Sequence, residues 1–157
     1  MLGDLIFESK GKITGQRVLS VENGIPKLEV SISGTGKVTG NIEVTENWTY
    51  WVVQRPDGTS YGEGHGIITT KDGREVATTT GRGEGKMMET GKMRYKSTIF
   101  FETNSVNKLA ILNRLLGVNE YEVDGSGNYE DRVWEWKQDN EIVIHFQFSV
   151  RRFAETK

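Results

Sequence analysis

Between residues 61 and 86 the chain alternates with a period of two. Tyr61, Glu63 and His65 are separated by Gly62, Gly64 and Gly66; Arg82, Glu84 and Lys86 are separated by Gly81, Gly83 and Gly85. That is the side-chain period of a strand, so the stretch reads as two strands around Lys71-Asp72-Gly73-Arg74. Glycine weakens a strand unless a bulge, a close backbone approach or sharp coiling requires it. Six glycines at alternate places predict the coiling of a small barrel. The turn admits two registers. A two-residue type I′ loop at Asp72-Gly73 pairs Lys71 with Arg74, Glu63 with Arg82, Tyr61 with Glu84 and glycine with glycine. A type I turn with a glycine bulge pairs Thr70 with Arg74 and sets each long residue opposite a glycine. In both, Tyr61, Glu63 and His65 share one face.

The same reading extends along the chain. Residues 5–8 and 12–21 form strands broken at Gly11. Asn23-Gly24 turns, and Pro26 marks the start of the next strand. There Leu28, Val30 and Ile32 alternate with Glu29, Ser31 and Ser33. Gly34-Thr35-Gly36 reads as a turn. Val38, Ile42 and Val44 follow on one face, with a bend at Gly40 and a further turn at Glu46-Asn47. Residues 48–55, aromatic and β-branched, predict a central strand, stopped by Arg55-Pro56-Asp57-Gly58. Glu89-Thr90-Gly91 turns into a strand over 93–103. Ser105 then caps a helix over 106–116, with Val106, Leu109, Leu112 and Leu116 on one stripe and Gly117 at its end. That helix packs over the sheet or a barrel end; a lid or a subunit contact is the alternative. Strands follow at 120–123 and 129–137 around Asp124-Gly125-Ser126-Gly127. A last strand, 141–153, closes the barrel or pairs with a neighbouring subunit. Some nine strand segments result. The expected fold is all-β: one domain over 1–157, a single antiparallel meander β-barrel of about eight strands with one short helix near 106–116.

Composition narrows the partners. The 157 residues carry a net charge of −2 and a pI near 5.8, and no basic run exceeds Arg151-Arg152. Nucleic acid is not an expected partner, because phosphate binding needs a clustered positive surface. Without cysteine there is no disulfide, thiolate metal site or cysteine nucleophile. The first residues lack the apolar core of a signal peptide, and no apolar run is long enough to span a membrane. A cytoplasmic protein with no membrane partner is expected.

The candidate chemistry lies on the glycine-interrupted strands. A phenol, a carboxylate and an imidazole on one face, Tyr61, Glu63 and His65, can share protons when buried, and Arg82 joins them in the first register. These four are the candidate catalytic residues. The competing reading is a solvated face with weak ion pairs. Trp48, Tyr50 and Trp51 put aromatic rings on both faces of one strand; with Tyr61, Glu63 and His65 they are the candidate ligand-binding residues. Trp134 and Trp136 share a face on a later strand. His145 reads as structural, so no metal site and no cofactor are expected. Gly81-Arg82-Gly83-Glu84-Gly85 is not a phosphate loop, because it lacks the strand-to-helix context and the Gly-Lys-Ser/Thr ending.

Arg55-Pro56-Asp57-Gly58, Tyr61-Gly62-Glu63-Gly64, Thr70-Lys71-Asp72-Gly73 and Trp134-Glu135-Trp136-Lys137 together resemble a group of short uncharacterised prokaryotic proteins. The strand Thr80-Gly81-Arg82-Gly83-Glu84-Gly85, followed by the glycine turn at Gly91, is similar over about a third of the chain to allene oxide cyclases and dirigent proteins. That resemblance implies a barrel of about eight antiparallel strands and a homo-oligomer, dimer or trimer. It carries over no catalytic residue. Three functions stay open: a barrel binding an apolar small molecule, a cyclase- or isomerase-like enzyme, and a structural or assembly protein.

Overall fold

The computed structural model describes residues 2–137. They form a closed antiparallel barrel of eight strands in simple meander order. The strands are β1 (Leu2–Glu22), β2 (Ile25–Val38), β3 (Ile42–Gln54), β4 (Thr59–Thr70), β5 (Val76–Met87), β6 (Met93–Thr103), β7 (Leu115–Val123) and β8 (Asn128–Trp136). Pairing of β8 with β1 closes the ring. The predicted strand over 141–153 and His145 lie outside the described residues. Among the described residues no helix is long and apolar enough to cross a membrane.

Four local readings are corrected. β1 runs unbroken through Gly11 and instead carries register shifts between Ile13 and Gly15 and between Val18 and Ser20. Gly34-Thr35-Gly36 is not a turn; it lies within β2, and Gly34 pairs with Gly11. A Cβ at Gly34 would collide with the Lys10 carbonyl and the Tyr129 hydroxyl, so glycine here serves close approach. Glu46-Asn47 is not a turn either; it lies inside β3. The helix predicted over 106–116 is a single 3-10 segment, Lys108–Leu112, and Leu116 and Gly117 belong to β7.

The β4–β5 hairpin adopts the first of the two registers: Glu63 faces Arg82, Tyr61 faces Glu84, and Gly62 faces Gly83. The loop is not type I′, because only Gly73 has a positive φ (71°). Thr70 and Glu75 close a four-residue loop through Thr70 N–H to the Glu75 carbonyl, 3.0 Å.

Two apolar clusters fill the barrel. One gathers Phe7, Val44, Ile68, Ala77, Phe101 and Val133 with Leu109 and Leu112. These two leucines, three apart, suit the period of a 3-10 turn and plug that end of the barrel. Glu75 pins the plug: its Oε2 accepts from the Ser105 hydroxyl and from Leu109 N–H at 2.9 Å. The other cluster joins Val30, Ile32 and Val52 to Tyr121 and Tyr129.

Candidate functional site

Alternation along β3 points Ile42, Val44, Glu46, Trp48, Tyr50 and Val52 inward. The partners of the last three on β4 are Gly66, Gly64 and Gly62. On β5, Gly81, Gly83 and Gly85 face Ile99, Ser97 and Tyr95 of β6. The glycine face is therefore the inner wall. A Cβ at Gly66 would strike the Trp48 ring, and one at Gly85 would strike the Tyr95 ring. Absent side chains let these rings lie against the wall. Beside them remains a cavity of about 80 Å³, whose lining includes Trp48, Tyr50, Tyr95, Ser97, Tyr121 and Ile99.

Carboxyl groups from two strands also line this cavity: Glu46 of β3 and Asp131 of β8. Glu46 is 1% exposed. Its Oε1 accepts from the Ser9 hydroxyl and from Tyr129 OH at 2.6 Å. Asp131 pairs across β7 with Tyr121 and across β1 with Ser9, and Asn119 Nδ2 donates to its Oδ1 at 2.8 Å. Tyr121 links the rings of this layer: it stacks on Tyr129 at 5.3 Å and meets Tyr50 and Tyr95 at 6.3 and 6.0 Å.

Burial governs the protonation of the layer. Desolvation raises the Glu46 carboxyl above its ordinary range, against the pull of the Ser9 and Tyr129 hydrogen bonds. Desolvation, with the Glu46 charge next, pushes Asp131 up to about 8. Burial likewise raises the phenol of Tyr50 to about 12 and that of Tyr121 further. Asp131 thus holds its proton more tightly in the folded than in the unfolded chain. Stability is expected to fall as pH rises from the ordinary carboxylate range to about 8, by up to about 1.4 kcal/mol per pH unit. Carboxyls lowered by their partners, such as Asp72 and Glu75, titrate below that window. Asp131→Asn should flatten the slope. Urea midpoints across the window check it, and an unchanged slope in the variant would place the pH dependence elsewhere.

Three buried polar atoms lack a full hydrogen bond among the described residues: Thr79 Oγ1, Asn119 Oδ1 and Tyr121 OH, the last in weaker polar contact with Tyr50. Two of them, on Asn119 (5% exposed) and Tyr121 (8% exposed), belong to residues lining the cavity. Orphaned polar groups of this kind are rare in folded proteins. Among the described residues no three His, Cys, Asp or Glu side chains are grouped to hold a metal ion.

The residues singled out from sequence divide between the two faces. Trp48 and Tyr50 point inward and line the cavity. Trp51, Tyr61, Glu63, His65 and Arg82 lie in the opposite rows, with Trp51 opposite Glu63 and Glu63 opposite Arg82, so they cover the outside of the barrel. Glu63 and Arg82 still border the cavity, and the alternation makes it their backbone that does so. Outside, Tyr61 OH donates to Glu63 Oε2 at 3.0 Å, Arg55 Nη1 meets Glu84 Oε1 at 2.7 Å, and Lys27 Nζ sits 3.9 Å from the Trp51 ring centre. Glu63 and His65 are exposed, which matches the solvated-face reading and not a buried proton-sharing cluster. Glu63→Gln and His65→Ala are expected to shift Tm by no more than about 2 °C. A calorimetric drop several times larger would show that this outer face holds the barrel together.

Sequence reasoning missed Glu46, Asp131, Asn119 and Tyr121. A signal existed for the first: the apolar row Val44, Trp48, Tyr50 keeps its period only if Glu46 is counted inside it.

Neither a family model nor a curated protein matches the chain. Solved structures do. A conserved protein of unknown function from Rhodopseudomonas palustris matches with a TM-score of 0.69 at 18% identity, over 86% of this chain and 97% of that one. A protein with unknown function from Clostridium acetobutylicum matches at 0.70 and 14%, over 85% and 98%. A beta-barrel like protein from Acinetobacter baumannii matches at 0.69 and 15%, over 87% and 96%. These likenesses show a common fold and leave activity open. They agree with the resemblance to uncharacterised prokaryotic proteins at the level of the fold, and they lend no support to the one with allene oxide cyclases.

Proposed function

We propose that this protein is a small-molecule-binding barrel whose site is the interior cavity under the glycine wall. The observation that carries this reading is the unpartnered buried oxygen of Asn119, Oδ1, in a chamber shared with the Tyr121 hydroxyl and two carboxyls. A filled structural core would satisfy or exclude such groups. The volume of about 80 Å³ is well below the roughly 300 Å³ of pockets that enclose drug-sized ligands. The occupant is therefore small, and within a mostly apolar, aromatic lining it carries a polar group that meets Asn119 and the carboxyls.

Native mass spectrometry of the protein from its own cells tests this. A small molecule should co-purify with the wild type and be absent from Ser97→Leu, which projects a larger side chain into the cavity. A wild type that carries no adduct, and whose crystal structure shows only water in the cavity, would overturn the reading.

A second reading, isomerase-like proton transfer, draws on Asp131, whose raised pKa keeps a carboxylic acid neutral beside the cavity. It rests on the interior groups, not on Tyr61, Glu63, His65 or Arg82. Incubating the co-purified molecule with wild type and with Asp131→Asn decides it: a conversion that both support equally would remove Asp131 from the chemistry.

Self-association is a separate proposal. The stripe expected to join subunits is largely consumed within the chain, since Leu109 and Leu112 are internal. Exposed Val18 and Val21 on the β1–β2 hairpin support it instead. Light scattering that gives a monomer mass at high concentration would rule it out.

A further inference from the structure

We propose that the interior cavity takes a small organic cation, an ammonium or guanidinium group, held by the carboxylates of Glu46 and Asp131 and by the orphaned acceptor of Asn119. This rests on the interior-binding reading above and adds the charge of the occupant.

The argument is an inventory of donors and acceptors. Asn119 directs its Nδ2 donor to Asp131, which leaves the carbonyl Oδ1 facing the cavity as an acceptor. Glu46 takes both its hydrogen bonds on Oε1, and no described residue donates to Oε2. Tyr121 OH adds a further oxygen to the chamber, in polar contact with Tyr50. Asn119 Oδ1 and Glu46 Oε2 are thus acceptors that the described residues leave open, and a ligand that completes them brings N–H donors.

Charge points the same way. The ionisable groups facing the layer are Glu46 and Tyr50 from β3, Tyr95 from β6, Tyr121 from β7, and Tyr129 and Asp131 from β8. Every one becomes negative on ionisation. The cationic residue in the cavity lining, Arg82, sits in the outward row of β5, and Lys10, Lys37, Lys71 and Arg132 border Asp131 from a separate outer groove. No lysine, arginine or histidine among the cavity-lining residues points inward to neutralise the carboxyls. Elsewhere in the barrel carboxyls do have cationic partners, as in Arg94–Glu122 and Lys71–Glu43. The rings of Tyr50, Tyr95, Tyr121 and Trp48 supply the aromatic faces on which an ammonium or guanidinium rests. Size fits a headgroup: about 80 Å³ is room for a few waters or one small organic ion and too little for a drug-sized ligand.

Binding of a cation must then displace a proton. Asp131 is mostly protonated at neutral pH, and only its ionised form pairs with the ligand. Affinity should rise as pH climbs to about 8 and level off beyond, by about tenfold per unit below that point.

Guanidinium and urea provide the test, because they share shape and size and differ in charge. Each is titrated into the isotope-labelled protein at constant ionic strength, following the Asn119 side-chain amide and the Glu46 and Asp131 carboxyl carbons. A ligand this small binds in the millimolar range at best. Guanidinium is expected to give saturable shifts at these groups, at least tenfold tighter than urea, with a dissociation constant that falls about tenfold from pH 6 to 7. Asp131→Asn should weaken the pH dependence, leaving only the part that Glu46 contributes. Equal binding of the two probes would overturn the cation while leaving interior binding intact. No saturable shift from guanidinium up to about 100 mM would overturn it too, with interior binding then judged separately by the co-purified ligand. Should Asp131→Asn fail to fold, the wild-type pH series decides: a flat dissociation constant across pH 6 to 8 refutes the proposal.

Discussion

Leu112→Ala is expected to destabilise the protein by about 3 kcal/mol, among the largest losses available to a single truncation here. Leu112 and Leu109 are both 0% exposed and pack with Ile68, Ala77, Phe101 and Val133 at the plugged end of the barrel. The cavity left by the missing methyls cannot collapse readily, because the surrounding wall is hydrogen-bonded strand on every side. Ile111 and Val106 are the internal controls. Ile111 lies within the same segment and Val106 just before it, but both are exposed, Val106 at 87%, so their alanine variants should stay within about 0.5 kcal/mol of wild type. Urea denaturation reads all three. The midpoint for Leu112→Ala should drop with the slope unchanged, since the folded and unfolded states expose the same surface as before. Were Ile111→Ala as costly as Leu112→Ala, the 3-10 register would be wrong, and a regular helix with its broader apolar stripe would be the better description.

That segment illustrates how far local pattern carries. Leu109 and Leu112 were legible as an inward pair, but spacings of three suit a 3-10 turn as well as an α-helix, and only the short distance between β6 and β7 decides between them. Turns were legible where the turn itself dictates the residue: Gly24, Gly58, Gly73, Gly91 and Gly127 all take positive φ. Gly34 and Gly36 were misread because a strand glycine that admits a neighbour's backbone looks the same in sequence as a turn glycine. The alternation of 61–86 correctly gave a coiled sheet, yet did not say which face was inside. The interior belongs to the glycines, because the residues that fill it, Trp48, Tyr50 and Tyr95, come from the adjoining strands. Glu46 and Asp131 were passed over for a physical reason. A carboxyl in an inward row contradicts the binary pattern used to find the row, and such contradictions concentrate where a protein does something other than fold.

Gly34→Ala tests the link between that fold and the buried layer, and a loss of about 3 kcal/mol is expected, at the upper end of overpacking costs. The added Cβ would meet the Lys10 backbone on one side and the Tyr129 hydroxyl on the other. Backbone in a paired strand cannot retreat cheaply, so Tyr129 is the part that gives. Its hydroxyl is also a donor to Glu46, at 2.6 Å. Moving it withdraws a hydrogen bond that favours the ionised form of that carboxyl, and the Glu46 pKa, already raised by burial, should climb further. Tyr129→Phe separates the two effects. It removes the same donor without crowding the backbone, so it should raise the Glu46 pKa as Gly34→Ala does, at a smaller cost of about 1–2 kcal/mol. Carboxyl carbon titrations by NMR, run beside urea denaturation, read both quantities in both variants. If Gly34→Ala destabilises strongly while the Glu46 titration stays in place, the collision is absorbed by β1, and the glycine serves strand pairing alone. If both variants move the titration together, the close approach of β2 to Tyr129 is what holds the buried acid in its hydrogen-bonded state.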